Sequence, residues 1–255
     1  MDLFQVLILS FIEGVTEFLP ISSTGHLILA SDILSIEQTG FVKSFLIIIQ
    51  LGAILSVVTL YFKMLTNAKL WPKIIAGFIP SAVVGLTLYA FIKNYLLGNE
   101  LITVIALFIG GLAFIGIELW DREREKNREF KDLTTKNAFL IGLFQSISVI
   151  PGVSRAGASI LGGLILGFNR KTATEFSFLL AVPTMLGASA LDVFRTRLNF
   201  SINELLILLI GFFASYLFAL LAVKFLIDYI KNHTFIALGV YRIIAASLFY
   251  LIFIL

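Results

Sequence analysis

Predominantly apolar stretches close to the length that crosses a bilayer recur along the 255-residue chain, and they limit its fold more than any other feature. A helix rises about 1.5 Å per residue, so about 20 residues cross the roughly 30 Å hydrocarbon core of a membrane. Lipid offers no hydrogen-bond partner to the backbone, and each stretch is therefore expected to be helical. Apolar residues make up 59% of the chain and charged residues 14%, which excludes an ordinary soluble domain.

The pattern predicts an all-α, polytopic integral membrane protein with six full transmembrane helices and two interrupted segments. The interrupted segments, 1–35 and 138–168, are broken near their middle at 20–25 and 151–157. Proline there removes a backbone donor and glycine admits unusual dihedrals, so each segment is expected to form a re-entrant helix-loop-helix hairpin. The six full spans are predicted at 41–62, 71–92, 101–119, 172–194, 204–226 and 234–254.

The two halves of the chain resemble each other at an offset of about 133 residues, which indicates an internal repeat. Ser22 and Gly25 align with Ser154 and Gly157. Each half contains one hairpin and three spans, an odd number, so the second half is expected to lie inverted relative to the first. The predicted division is repeat one at 1–120, a charged cytoplasmic linker at 121–137 and repeat two at 138–255.

Basic residues fall on one side of the predicted spans, which by the positive-inside rule faces the cytoplasm. Both termini and the mouth of the first hairpin are then expected on the extracytoplasmic side, with the two hairpin loops meeting near the midplane. The formal charge of +3 does not indicate nucleic-acid binding, because the basic residues lie in short segments between apolar runs. The predicted cytoplasmic bases are Lys63, Lys69, Lys73, the six from Arg122 to Lys136, Arg170, Lys171, Lys224 and Lys231, with Lys93, Arg195 and Arg197 opposite.

Neither the first residues of the chain nor its cysteine content suggests another class of protein. The first residues carry no basic region and no small-residue cleavage site follows them, so the start is expected to belong to the mature fold. Cysteine is absent, which excludes disulfides, thiolate metal sites and cysteine nucleophiles.

Glu13 and Glu17 stand four residues apart, and on a helix they share one face. A charge at bilayer depth costs about 2.5–3.5 kcal/mol on insertion scales, so the pair needs a cation, a proton or an arginine beside it. Two carboxylates together with phosphate oxygens suit Mg²⁺ or Ca²⁺, and the sequence leaves the choice of ion open. The alternative is one surface glutamate and one protonated glutamate that only close helix contacts.

Hydroxyl groups and an imidazole follow the glutamates at Ser22, Ser23, Thr24 and His26. The amides at the start of the following helix are expected to bind an anion, and Ser22 and Thr24 are predicted to contact phosphate. Hydroxyl residues at a helix start are often only caps, and this alternative stays open for Ser22 and Thr24. His26 favours function, because ionisable groups inside a membrane are usually functional.

Arg155 lies in the second loop among small residues, in an otherwise apolar segment. One alternative is a salt bridge to Glu13 or Glu17 that joins the hairpins. The functional interpretation is a planar guanidinium that clamps phosphate oxygens, with Gly152 and Ser154 as further phosphate-binding positions. Carboxylates, hydroxyls, histidine and arginine together favour phosphoryl transfer over acyl transfer.

The run from Glu13 to His26 resembles the first signature of the undecaprenyl-diphosphate phosphatases associated with bacitracin resistance. The run from Pro151 to Gly157 is similar to that family's P-G-x-S-R-S-G, and the run from Glu175 to Pro183 also resembles a family segment. Ala156 stands where the family usually has serine, so any role of that hydroxyl does not carry over. The likeness covers essentially the whole chain.

The resemblance implies hydrolysis of undecaprenyl diphosphate to undecaprenyl phosphate and inorganic phosphate in a bacterial plasma membrane. It further implies an inverted-repeat fold, an outward-facing site, recycling of the lipid carrier for peptidoglycan synthesis, and bacitracin resistance. Carried over by position, it makes Glu13 and Glu17 metal-binding or acid/base groups, Ser23 a candidate nucleophile, His26 its acid/base partner and Arg155 a phosphate clamp. Water remains the alternative nucleophile.

The main alternative function is transport of polyprenyl phosphate or another anion, because inverted repeats with broken helices are also transporter architecture. Both activities in one protein stay open. The expected partners are the polyprenyl diphosphate substrate and membrane lipids, with no nucleic acid. The sequence leaves homo-oligomer formation and the preferred polyprenyl chain length open.

Overall fold

The computed structural model describes residues 1–37, 39–96, 99–120, 128–195 and 200–254. The secondary structure of these residues is helical, as predicted. Within them, one isolated β-bridge joins Arg128 and Phe168. The main helices are α1 (Leu3–Thr16), α2 (Ser23–Ile33), α3 (Gly40–Leu60), α4 (Trp71–Thr87), α5 (Glu100–Trp120), α6 (Thr135–Ser146), α7 (Arg155–Ile165), α8 (Arg170–Arg195), α9 (Ile202–Asn232) and α10 (Ile236–Phe253). Short helical turns lie at Phe62–Leu65, Ala68–Leu70, Tyr89–Phe91, Ile92–Leu96, Phe130–Asp132 and Ile147–Val149.

Five stretches of described helix are long and apolar enough to cross a membrane, and the chain is a multi-pass membrane protein. They are Gly40–Leu60, Ala68–Thr87, Glu100–Trp120, Arg170–Ala190 and Ile202–Asn232. The sixth predicted span, 234–254, corresponds to α10, whose 18 residues make it shorter than these five.

Two predicted spans have different limits in the structure. The span predicted at 71–92 is helical as α4 only to Thr87, whose hydroxyl donates to the Val83 carbonyl at 2.7 Å, before two short helical turns. The span predicted at 204–226 continues as α9 to Asn232 because charged residues at its end extend the helix beyond the apolar part. Residues 121–127 of the predicted charged linker and Arg197 lie outside the described residues, as do the side chains of Lys93 and Arg195.

Large apolar side chains point outward along the helices, as expected where lipid is the solvent. On α9 they recur every fourth residue and form one exposed stripe: Leu205, Leu209, Phe213, Leu217, Leu221 and Phe225. The interior holds many of the hydroxyl and charged groups, including Glu13, Ser159, Ser177 and Arg242. Several polar and charged side chains of the described residues are therefore buried inside the helix bundle.

Helices from the two halves of the chain pack against each other at glycine contacts. α1 and α3 pack on α9, and α6 packs on α4. A Cβ added to Gly52 of α3 would meet the Phe212 backbone of α9, and one added to Gly142 of α6 would meet the backbone of Gly77 in α4. Small residues of this kind let membrane helices approach closely.

Each broken segment contains two helices joined by a loop that ends in a strained serine. Ser22 precedes α2 with φ 72°, and Ser154 precedes α7 with φ 67°. A positive φ is uncommon for residues other than glycine and is stored strain of the kind often found at functional sites. The two serines have similar φ angles, and a helix starts directly after each of them.

An ion pair between Glu118 and Arg170 joins helices close to the predicted linker. Arg170 donates through Nε to Glu118 Oε1 at 2.8 Å and through Nη2 to Oε2 at 2.5 Å, and the Phe235 N–H also donates to Oε1 at 3.0 Å. This cluster joins α5, α8 and the start of α10. At the described end of the linker, Arg128 donates to the Leu166 carbonyl at 2.8 Å.

Candidate active site

A polar cavity of about 260 Å³ lies between the two loops. It brings together residues that the sequence analysis selected from both halves of the chain. The side chains of Glu13 and His26 are not among those that line it. The lining residues are Glu17, Ser22, Ser23, Thr24, Gln50, Ser148, Ile150, Pro151, Gly152, Ser154, Arg155, Met185 and Ala188.

Glu17 is the central acidic group of this cavity. It follows the last residue of α1, keeps αR dihedrals and donates its N–H to the Glu13 carbonyl, so the predicted one-turn relationship of the two glutamates holds. Ser23 Oγ donates to Glu17 Oε2 at 2.5 Å, and Arg155 Nη2 donates to Oε1 at 3.0 Å. A carboxylate that accepts from a serine hydroxyl is placed to take its proton.

Glu13 lies beneath the cavity and is fully buried. Neither of its carboxylate oxygens accepts a hydrogen bond from a donor group among the described residues, and its carboxyl lies within hydrogen-bonding reach of the Glu17 carboxyl. Buried acceptors without partners are costly, and they mark either a proton or a cation.

Arg155 connects the second loop to the first. The salt bridge to Glu17, which the sequence left as an alternative role, is formed at 3.0 Å. Nη1 donates to the Ser177 carbonyl at 3.1 Å, while the buried Nε has no partner among the described residues. Arg155 also borders the cavity, so the ion pair leaves part of the guanidinium facing the space where an anion would enter.

The starts of α2 and α7 both border the cavity through Ser22, Ser23, Thr24 and Ser154. The first N–H groups of a helix have no acceptor within the helix and carry its positive dipole end. Ser154 Oγ already accepts the Gly157 N–H at 3.1 Å, which makes it a helix cap, while Ser22 forms no side-chain cap. The cavity is therefore lined by groups that attract phosphate.

His26 lies on another side of α2. Its Nδ1 contacts the Ser22 carbonyl at 2.7 Å, and its Nε2 contacts the Tyr241 hydroxyl at 2.7 Å. A carbonyl only accepts, so Nδ1 carries a proton, and in the neutral ring Nε2 accepts from Tyr241. The structure thus brings Ser23 to Glu17 and His26 to Tyr241.

Sequence reasoning missed Gln50, Ser148 and Arg242. Gln50 and Ser148 line the cavity, and each is a polar residue within a segment read as apolar. Arg242 is fully buried, and its guanidinium donates to the Pro20 carbonyl at 2.8 Å and the Gly152 carbonyl at 3.0 Å. Its signal was present in the sequence, because a lone arginine interrupts the last apolar run.

The carboxylates fit a divalent cation only in part. Among the described residues there is no group of three or more His, Cys, Asp and Glu side chains that would hold a metal alone. The two unpartnered oxygens of Glu13, with Glu17 one turn away, suit an ion whose other ligands are substrate oxygens and water.

An apolar groove of about 440 Å³ adjoins the polar cavity. Ile150 borders both spaces. Ala106, Gly110 and Ala113 of α5 form one wall, and Ala158 and Leu161 of α7 contribute to the other. A ligand with a charged head and a long apolar chain matches this pair of spaces.

Comparison with known proteins finds relatives over nearly the whole length of the chain. Residues 6–248 match the model of the family described as Bacitracin resistance protein BacA. The chain is 47% identical over 241 residues to the undecaprenyl-diphosphatase of Aquifex aeolicus, covering 94% of each chain. It is 48% identical over 252 residues to the undecaprenyl-diphosphatase of a Sulfurihydrogenibium species, covering 98% of this chain and 99% of the relative. A relative of the same name from Campylobacter jejuni is 46% identical over 258 residues, covering 99% of this chain and 95% of its own.

Proposed function

The chain belongs to the bacitracin resistance protein BacA family, and from this membership we infer that it is an undecaprenyl-diphosphate phosphatase. It hydrolyses undecaprenyl diphosphate to undecaprenyl phosphate and inorganic phosphate. The reaction returns the lipid carrier to cell-wall synthesis and fits bacitracin resistance. The assignment of this function to particular residues rests on the Glu17–Arg155 pair, which borders a polar cavity beside an apolar groove.

The substrate head group is expected to bind where Arg155 meets the starts of α2 and α7. Entry of the diphosphate would redirect the guanidinium from Glu17 to phosphate oxygens, and the unpartnered Nε offers a further donor. The N–H groups at both helix starts stabilise the charge that develops on the β-phosphate oxygens. Ser22, Thr24, Gly152 and Ser154 line this part of the cavity.

Glu17 is the proposed general base. Its hydrogen bond to Ser23 favours attack by Ser23 Oγ on the β-phosphorus, with the proton passing to Glu17. The bond from the β-phosphorus to the bridging oxygen breaks, and undecaprenyl phosphate leaves. Water then hydrolyses the phosphoserine to release inorganic phosphate. A water held by Glu17 is the alternative nucleophile. His26 is placed to orient Ser22 through its carbonyl, and its acid/base role stays a prediction.

Mg²⁺ or Ca²⁺ is proposed to bind through Glu13, Glu17 and substrate oxygens. When bound, such an ion neutralises charge on the diphosphate. The support is the buried, unpartnered carboxylate of Glu13.

The polyprenyl chain is proposed to lie in the apolar groove. Ala113→Phe would narrow the groove, and we expect the KM for undecaprenyl diphosphate to rise about fivefold, with a smaller rise for farnesyl diphosphate. Leu209→Phe, in a separate apolar groove, is the matched control. Equal KM values for Ala113→Phe and wild type would place the chain elsewhere.

We further propose six spans and two re-entrant hairpins in an inverted repeat, with the site opening to the extracytoplasmic side. The matching φ angles of Ser22 and Ser154 and the reciprocal packing of α1 on α9 and α6 on α4 support the repeat. Single cysteines introduced into this cysteine-free chain, labelled from one side of sealed cells, would test the sidedness. Labelling of a residue beside the cavity only from the cytoplasm would contradict it.

The direct test of function is release of inorganic phosphate from undecaprenyl diphosphate by the detergent-purified protein. We expect release by wild type and by the exposed-surface control Glu37→Ala, and none above background by Glu17→Ala. No release by folded wild type with either Mg²⁺ or Ca²⁺ would overturn the phosphatase assignment and favour the transporter, which a flux assay in proteoliposomes would then test.

A further inference from the structure

Arg242 of α10 reaches the backbone of both loops at the cavity. Its Nη1 donates to the Pro20 carbonyl at 2.8 Å in the first loop. Its Nη2 donates to the Gly152 carbonyl at 3.0 Å and the Val153 carbonyl at 3.4 Å in the second. The loops lie far apart in the sequence, and this one side chain joins them.

The environment of Arg242 is unusual for a charged group. Its remaining hydrogen bonds go to the carbonyls of Leu107 and Ala106 in α5, so its partners among the described residues are all backbone carbonyls. Burying a guanidinium in a membrane protein with only neutral partners is costly. An apolar side chain would pack α10 on α5 without that cost, which indicates that the loops require the arginine.

The carbonyl contacts also orient the peptide groups of the second loop. The C=O and N–H of a trans peptide point in opposite directions. A Val153 carbonyl turned towards Arg242 therefore turns the Ser154 N–H away from Arg242, and Ser154 borders the cavity. The contact with Pro20 holds the first loop two residues before the strained Ser22.

We propose that Arg242 is a positioning residue that holds the two loops at the separation and orientation needed for catalysis. It acts through Ser154 and Arg155 on one side and through Ser22 and Ser23 on the other, without touching substrate. This role rests on the proposed phosphatase function, but its structural part, the ordering of both loops, is measurable without activity.

Gly110 provides a way to disturb Arg242 without removing its charge. A Cβ added to Gly110 would meet the guanidinium of Arg242 directly. Gly116 lies on the same helix and a Cβ added there would meet nothing within 4 Å, which makes Gly116→Ala the matched control. Arg242→Lys keeps a positive charge but lacks the planar fork that reaches several carbonyls.

The experiment measures kcat and KM for undecaprenyl diphosphate together with hydrogen exchange in loop peptides covering 18–25 and 150–158. A displacement of about 1 Å can cost on the order of 100-fold in rate, and we expect such a loss of kcat in Arg242→Lys and about tenfold in Gly110→Ala. KM should stay within about threefold, because the phosphate-binding groups remain and the Cβ added to Gly110, although this residue borders the apolar groove, would be directed at Arg242. Both loops should exchange faster in both variants, and Gly116→Ala should match wild type.

Two results would overturn the proposal. One is a kcat for Gly110→Ala and Arg242→Lys equal to that of wild type. The other is a loss of activity with unchanged exchange in both loops. If Arg242→Lys does not fold, Gly110→Ala alone decides between these outcomes. A wild type without phosphatase activity would instead overturn the function, while the exchange data would still test the positioning.

Discussion

Among the described residues, two carboxylate–guanidinium pairs with a buried carboxylate differ in how completely their polar atoms are satisfied. Glu118 and Arg170 share two hydrogen bonds, and the Phe235 N–H adds a third to Glu118. Glu17 and Arg155 share one, beside a cavity, with Arg155 Nε unpartnered. The first pair completes a helix junction, whereas the second has bonding capacity left for a ligand. From this difference we propose that the second pair is catalytic and the first is structural.

The largest expected effect follows from removing the cation of the cavity pair. Arg155→Ala should lower kcat/KM by on the order of 1,000-fold, because the charge on the transferring phosphate loses its main stabilising group. Arg155→Lys should recover only part of this, since an ammonium cannot bind two oxygens in a fork. Steady-state phosphate release measures both. Arg155→Ala with wild-type activity would contradict the catalytic side of the comparison.

Ser23→Ala distinguishes attack by the Ser23 hydroxyl from attack by a water molecule. If Ser23 attacks, we expect kcat to fall by on the order of 100-fold or more, and the wild type to form a phosphoserine at this position. Mass spectrometry of acid-quenched enzyme detects that intermediate. Activity close to wild type in Ser23→Ala would assign the attack to water held by Glu17.

Glu13→Gln tests whether the cavity pair works together with a divalent cation that Glu13 helps to bind. The neutral amide should raise the Mg²⁺ or Ca²⁺ concentration needed for half-maximal activity by about tenfold, because one carboxylate ligand is lost. A chelator should stop the wild type, and added ion should restore it. Activity that resists chelation would remove the cation from the mechanism.

The smallest effect on activity is expected at the structural pair. Arg170→Ala should destabilise the protein by about 1–3 kcal/mol, because the buried Glu118 carboxylate loses two charge-assisted hydrogen bonds. Its kcat at low temperature should stay within about threefold of wild type, since distant sites act independently. Thermal unfolding in detergent and phosphate release, measured on one preparation, test this. A large loss of kcat in fully folded Arg170→Ala would contradict a purely structural role for the Glu118–Arg170 pair.

Much of the fold follows from local physics that the sequence displays. Apolar runs predicted most helices to within a few residues, and Pro20 and Pro151 marked the two breaks. The end of α9 was predicted too early, because the predicted span followed the apolar run, whereas the helix continues past the apolar part to Asn232. Helix limits outside the apolar region carry little hydrophobic signal.

The sequence indicated which residues would form the site, but not which of their side chains would contact each other. Glu17, Ser23 and Arg155 could be selected from charge and hydroxyl groups in apolar surroundings, and the structure brings them together. The partner of His26 lies on α10, 215 residues away at Tyr241, and no local pattern indicates it. Arg242 could have been selected by the rule that selected Arg155, whereas its contacts with backbone carbonyls required the folded structure.

The most direct test of this account measures phosphate release and thermal unfolding in parallel for Glu17→Gln and Glu118→Gln. Both changes remove the charge of a buried carboxylate that is paired with an arginine, and both keep the side-chain shape. We predict that Glu17→Gln loses phosphate release while it remains folded at the assay temperature, and that Glu118→Gln keeps phosphate release although it unfolds at a lower temperature than wild type. Retained release in Glu17→Gln would contradict the central claim that the cavity pair is the catalytic one.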